Sequence, residues 1–373
     1  MRQGSAEVLF ALNFVQDCDL YQFFEVPAYF FKNIIGAEEF NNDLFPDWFG
    51  DVIDRAPKLK EEFELLAKCI ISKDEGSRKI LYRIFVNHNR VARLCLNTEL
   101  ELQEFPDELN DVAVLSRKVF DRLYNTTLQS AAVGRSLGED IYSHYTKFRD
   151  INLSQVCPFC GLENYSDRFK RSRSQYDHYL MKSKYFFGAV NFSNLVPMCS
   201  ACNEAPNKHS KDILFSNTGV RRLVYYPFGS ASGVTANVAN LRPSSVDYGG
   251  DWEVTITANS AEEAAKVCEW LVVFNVKDRY AARIREESNN WLIEYLVQMV
   301  PPVDLNDLNS WRYSLRSWFD GLVLINRRRP VRNGIVKAAY FDYLYRAASD
   351  SEIWGIKSLA ESAFISVRNG AIA

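Results

Sequence analysis

Two cysteine pairs constrain this chain more than any other feature. Cys157-Pro-Phe-Cys160-Gly161 and Cys199-Ser-Ala-Cys202 each carry two thiols with two residues between them. Thiolates at that spacing grip one tetrahedral ion, and a glycine after the second cysteine lets the turn take positive φ. Together the two knuckles supply the four sulfurs of a closed structural Zn2+ site. A disulfide framework, the other use of paired cysteines, belongs to secreted chains. Here the first twenty residues carry one Arg and a short apolar run broken by Asn13, with no small-residue cleavage pattern. That is not a signal peptide, and no stretch approaches the ~18 apolar residues of a membrane span. The expectation is a cytoplasmic protein with no membrane partner. Cys18, Cys69, Cys95 and Cys268, scattered in apolar or helical contexts, then read as reduced thiols.

The flanks differ from the segment they enclose. Residues 1–150 read as a helical scaffold, with apolar positions at helical spacing in 51–72 (Val52, Ile53, Leu59, Phe63, Ile70), 80–96, 111–124 and 137–148. Residues 151–215 hold both knuckles, a basic run and short apolar pieces. Residues 216–373 begin with strand-like stretches at 222–228 and 252–258, separated by a loop rich in Gly, Ser, Asn and Pro at 229–250. Ser260-Ala-Glu-Glu263 is a capping box that opens a helical C-terminal region, broken at Pro301-Pro302 and at 327–333. This order predicts an α+β chain in three parts, with a zinc-braced centre between mainly helical ends. A composition that is 47% hydrophobic excludes disorder.

Between the knuckles lie residues suited to phosphodiester hydrolysis, which needs an activated water and charge stabilisation at phosphorus. His178, in Tyr176-Asp177-His178-Tyr179, is the candidate general base, since a neutral imidazole works near its own pKa. Asp177 offers a hard oxygen suited to Mg2+ or Mn2+. On a strand these two neighbours face opposite sides, so the backbone has to twist to bring both into one site. A net charge of −3 does not suggest a nucleic-acid binder, but the local distribution does. Arg168, Lys170, Arg171 and Arg173 precede the Asp-His pair, and Lys182, Lys184, Lys208 and Lys211 follow it. Phosphate contacts of this kind give affinity without sequence information. Arg327-Arg-Arg329 with Arg332 either extends that track or is an ordinary basic turn. His88 and His144 lack such framing and read as surface or interface histidines.

The succession Asp177-His178, Asn194-Leu195 and Cys199-Ser-Ala-Cys202-Asn203 resembles the HNH (ββα-metal) endonucleases. The run from Asp177 to Tyr185 is similar to a bacterial subfamily that often carries Asp-His-Tyr/Phe-Leu-Pro-Lys-Ser, with Met181 here in place of the Pro. The resemblance spans residues 157–211 and implies a ββα-metal module. In it Asn194 orients the base histidine, and Asn203, at the start of a short helix, is the second ligand of the catalytic ion. His209 is the alternative ligand, because the basic residue after Asn203 arrives late. Lys208 would contact phosphate, as would Arg171, Arg173, Lys182 and Lys184. The activity implied is endonucleolytic, on DNA, leaving 5′-phosphate and 3′-hydroxyl ends. A place in bacterial phage defence or mobile elements, with an ATPase or other regulatory partner, rests on the same resemblance. No GxxxxGK[ST] loop is present, so ATP dependence would come from that partner. Two rival readings stay open: a non-catalytic zinc-containing adaptor, and an HNH nuclease acting on RNA. Nothing in the sequence speaks to oligomeric state.

Overall fold

The computed structural model describes residues 7–8, 12–15, 17–152, 156–164, 176–209, 211–229, 234–240, 251–299, 306–328, 330–356 and 358. Arg168, Lys170, Arg171, Arg173, Pro301-Pro302 and Arg329 lie outside these residues. In chain order the elements are β1 (Glu7–Val8), α1 (Glu25–Asn33), α2 (Gly50–Asp54), α3 (Pro57–Ile71), α4 (Glu75–His88), α5 (Val91–Leu96), α6 (Asn110–Arg122), α7 (Ala131–Leu137) and α8 (Ile141–Asn152). There follow β2 (Tyr176–His178), β3 (Leu195–Pro197), α9 (Ser200–Asn203), β4 (Val234–Asn240), β5 (Trp252–Ala258), α10 (Ala261–Phe274), α11 (Val276–Met299), α12 (Leu308–Arg328) and α13 (Gly334–Arg346). The fold is α+β and mainly helical, with two small antiparallel sheets. Two compact units form: Ala11–Leu153 with Tyr165–Ser230, and Met1–Phe10 with Ser154–Asn164 and Ala231–Ala373.

In the first unit the helices bury single stripes. Along α3, Leu59, Phe63, Leu66, Ala67 and Ile70 are inside, the i, i+4, i+7 pattern of an amphipathic helix. Pro57 at its first position starts α3, where a missing N–H costs nothing. That same proline divides the expected 51–72 helix into α2 and α3. The 80–96 stretch likewise divides into α4 and α5. Residues 176–215, expected to belong to a separate central module, and 216–229, expected to open the C-terminal region, pack with these helices. The anchor is Phe187, in the loop between β2 and β3. Its ring lies 4.9 Å from Phe31 and 5.4 Å from both Phe85 and Phe120, measured between centroids. Such aromatic contacts add about 0.5–1.5 kcal/mol each to the burial itself, so the loop is fixed from within the helical core.

In the second unit the sheet order is β1-β4-β5, antiparallel, with Val234 opposite Ala258 and Asn240 opposite Trp252. Trp252 and Val254 are buried while Glu253 and Thr255 are exposed, the alternation expected of a half-covered strand. Ser260 caps α10, its Oγ accepting the Glu263 N–H at 3.1 Å. Trp291, Tyr295, Trp311, Phe319, Tyr340 and Phe341 form the helical core beyond it. Two local expectations do not hold. Residues 222–228 form no strand, and the Val224 N–H instead donates to the Cys95 carbonyl at 3.0 Å. The supposed 229–250 loop contains β4, whose weak alternation is fixed by pairing with β5. Among the described residues no helix is long and apolar enough to cross a membrane.

Candidate metal centre and histidine site

The first knuckle is a closed turn. An isolated bridge pairs Val156 with Asn164, the Cys157 N–H donates to the Glu163 carbonyl at 2.8 Å, and the Gly161 N–H donates to the Cys157 carbonyl at 2.9 Å. Gly161 has φ +66°, as the sequence predicted, and a Cβ there would come within 3.1 Å of Ile335 Cδ1. Four consecutive carbonyls of this turn are each met by a donor from the C-terminal helices or the turn before α13. Trp270 Nε1 donates to Phe159 O at 2.7 Å, and the Tyr280 hydroxyl to Cys160 O at 2.9 Å. The Asn333 N–H donates to Gly161 O at 2.9 Å and Arg332 Nε to Leu162 O at 3.2 Å. Buried carbonyls are costly when unpaired, so this collar holds the turn's shape. It also accounts for Arg332, which supports the knuckle and pairs with Glu163.

The second knuckle opens α9. Cys199 precedes its first residue, and the Cys202 and Asn203 N–H groups both donate to the Cys199 carbonyl at 3.1 Å. The four thiols Cys157, Cys160, Cys199 and Cys202 are all buried, and their sulfurs lie within 4.8 Å of one another. None of them is in a disulfide. Tetrahedral Zn2+ with bonds near 2.3 Å sets its sulfurs about 3.8 Å apart, so the donor set fits zinc in number, chemistry and spacing. A borderline-soft ion with four thiolates and no open position is a structural centre.

β2 and β3 pair with His178 opposite Leu195 and Tyr176 opposite Pro197. His178 is buried, and its Nε2 lies 2.9 Å from the Ala189 carbonyl. A carbonyl only accepts, so Nε2 carries the proton and the neutral ring presents Nδ1 as its basic nitrogen. Nδ1 has no hydrogen-bond partner among the described residues. Tyr124 packs edge-to-face on the ring with centroids 4.3 Å apart, and its hydroxyl donates to the Tyr176 carbonyl at 2.6 Å. Burial pushes the imidazole down to about 3, which keeps it neutral throughout the physiological range.

Asp177 and Lys208 form a buried ion pair. The ammonium also donates to the His178 carbonyl at 2.6 Å, and the Lys208 N–H donates to the Cys202 carbonyl at 3.2 Å. Lys208 thus ties the second knuckle to the end of β2. Burial raises the Asp177 carboxyl, with the Lys208 charge opposing. Lys208 is 1% exposed, so its charge serves Asp177 and not an outside phosphate, contrary to expectation. Asn194, fully buried, spends its hydrogen bonds on the backbone and not on the His178 ring. Its Oδ1 accepts the Leu180 N–H at 2.6 Å, and its Nδ2 donates to Leu180 O at 3.0 Å and Gly188 O at 3.1 Å. It therefore staples the loop whose next residue, Ala189, holds the histidine.

Of the other expected residues, Asn203 ends α9 half-buried and His209 is exposed, with its charge near enough to bear on Asp177. Lys182 is paired with Asp121 at 2.8 Å and lies over the Tyr124 ring, and Lys184 is paired with Asp212 at 2.8 Å. Among the described residues the four cysteines are the sole group of three or more His, Cys, Asp or Glu side chains with clustered ligand atoms. The carboxylate that a catalytic Mg2+ or Mn2+ would use, that of Asp177, is engaged by Lys208. His88 and His144 are buried, not on the surface. His88 Nε2 meets the Gln103 carbonyl at 3.1 Å, and His144 bonds the Tyr21 and Tyr176 hydroxyls. Tyr124, Ala189, Trp270 and Tyr280 carried no motif and were not anticipated. No protein-family model, curated protein or solved structure matches the chain.

Proposed function

We propose that this chain is an HNH-type endonuclease that hydrolyses phosphodiester bonds, with DNA as substrate and His178 as general base. The observation that carries the reading is the held tautomer of His178. The Nε2–H donates to the Ala189 carbonyl, so Nδ1 is left to accept a proton from water. A phosphate beside the ring favours its protonated form and so opposes the lowering that burial imposes. The order of elements gives further support: two paired strands, then a short helix that begins at a zinc knuckle. Lys182, a third exposed at its side chain, lies beside Tyr124 and can exchange Asp121 for a phosphate oxygen. Asp177 is the oxygen ligand available to a divalent ion, which would have to share or displace Lys208.

The test is plasmid cleavage by the wild-type protein and His178→Ala, with Mg2+, with Mn2+ and with EDTA, and zinc content measured on both. Cutting that requires the divalent ion, and that is lost in a variant retaining its zinc, is the expected result. Equal cutting by both proteins would remove His178 from the chemistry. A matched RNA substrate separates the two polymers.

A further inference from the structure

A cavity of about 390 Å³ lies in the first unit, between the start of α3, α2 and the segment joining α6 to α7. That volume is in the range of small-molecule sites. Its walls include Val52, Pro57, Leu59 and Ala132, and two of its lining residues are the exposed cations Arg55 and Lys58. Neither cation has an acidic partner among the described residues. Arg122, the third lining cation, is committed to Glu62 through two bonds of 2.7 and 2.6 Å. Apolar walls beside two unspent positive charges suit a small organic anion with an apolar body, one end buried and the other paired.

One segment serves both the cavity and the histidine site. After Arg122 the chain makes a π turn, Leu123–Thr127, a geometry often found at functional sites. Thr126 and Thr127 line the cavity. Tyr124, in the same turn, packs on the His178 ring and donates to Tyr176 O. Three residues thus connect a ligand's surroundings to the proposed base.

We propose that this cavity binds a small organic anion with an apolar body, and that its occupancy is transmitted to His178 through the π turn. The link to catalysis rests on the nuclease reading of His178; the binding does not. The probe is 2-naphthyl phosphate, titrated calorimetrically, with 2-naphthol as its neutral counterpart. Saturable binding is expected, weakened at least about tenfold in Arg55→Ala/Lys58→Ala by loss of the charged contacts, and abolished in Ala132→Trp, which fills the space. The His178 imidazole resonance, assigned by its absence from His178→Gln, should move during the wild-type titration and stay still in Ala132→Trp. No saturable binding up to millimolar probe, or equal binding by the charge variants, overturns the site. Equal affinity for 2-naphthol overturns the anion class. Binding with an unmoved His178 resonance overturns the coupling. None of these readouts requires cleavage, so they stand apart from the outcome of the plasmid assay.

Discussion

Replacing Asn194 by Ala should be among the most damaging single changes outside the cysteines, although its hydrogen bonds go to backbone and not to the His178 ring. Its side chain makes three hydrogen bonds, all to the backbone of the Leu180–Gly188 loop, and it is fully buried. Each such bond contributes about 1 kcal/mol net, and a buried N–H left without an acceptor costs about 1–3 kcal/mol. Leu180 would be so stranded, which puts the total at about 3–5 kcal/mol. Amide hydrogen exchange across residues 176–196 measures this directly, because the free energy of opening the loop sets its protection. At 1.36 kcal/mol per tenfold, protection should fall more than about hundredfold. Cleavage should fall with it, since Ala189 directly follows the stapled Gly188 and loosening one frees the other. A loss of protection below about fivefold, or cleavage at the wild-type rate, would refute the reasoning that Asn194 positions the histidine through the loop.

Three further outcomes follow from the same geometry. Lys208→Met should destabilise the protein by about 3–5 kcal/mol by leaving the Asp177 carboxylate buried and unpaired; Asp177→Asn/Lys208→Met should recover most of that in denaturant unfolding, and a double variant as unstable as the single one would dismiss the pair. Gly161→Ala should lower thermal stability and zinc occupancy, since the residue has φ +66° and its new Cβ would press on Ile335; zinc analysis and a thermal scan indistinguishable from wild type would contradict this. His88 is held by burial at about 4, below its ordinary 6.5. A depressed folded value means the unfolded chain binds the proton first, so stability is full above pH 6.5 and drains as pH falls towards 4. Between pH 7 and 4.5 this group should account for about 2–3 kcal/mol, and His88→Gln should flatten the pH dependence of urea unfolding by that much.

What the sequence made legible was short-range. The two CxxC pairs could be read because the spacing of two thiols is itself the ligand geometry, and all four sulfurs do converge. Trp252–Ala258 and the Ser260 cap were readable because alternation and capping act within a few residues. β4 was hidden because Val234-Thr-Ala-Asn-Val-Ala-Asn240 lies in a stretch rich in turn residues and becomes a strand only through its partner β5. The histidine site was half legible for a similar reason. Asp177 and His178 announce themselves as a pair, but what holds them comes from far along the chain: Tyr124 before, Ala189 and Lys208 after. Lys208 shows how far this can mislead. In the sequence it is one basic residue among several, and a phosphate contact is its natural reading; burial beside a carboxylate turns the same charge inward. A buried ammonium there opposes the upward push of burial on Asp177 and occupies the carboxylate at the expense of any other cation. An ion that binds Asp177 must therefore compete with Lys208, and divalent-ion affinity should rise when that lysine is removed, wherever the ion's remaining ligands prove to lie.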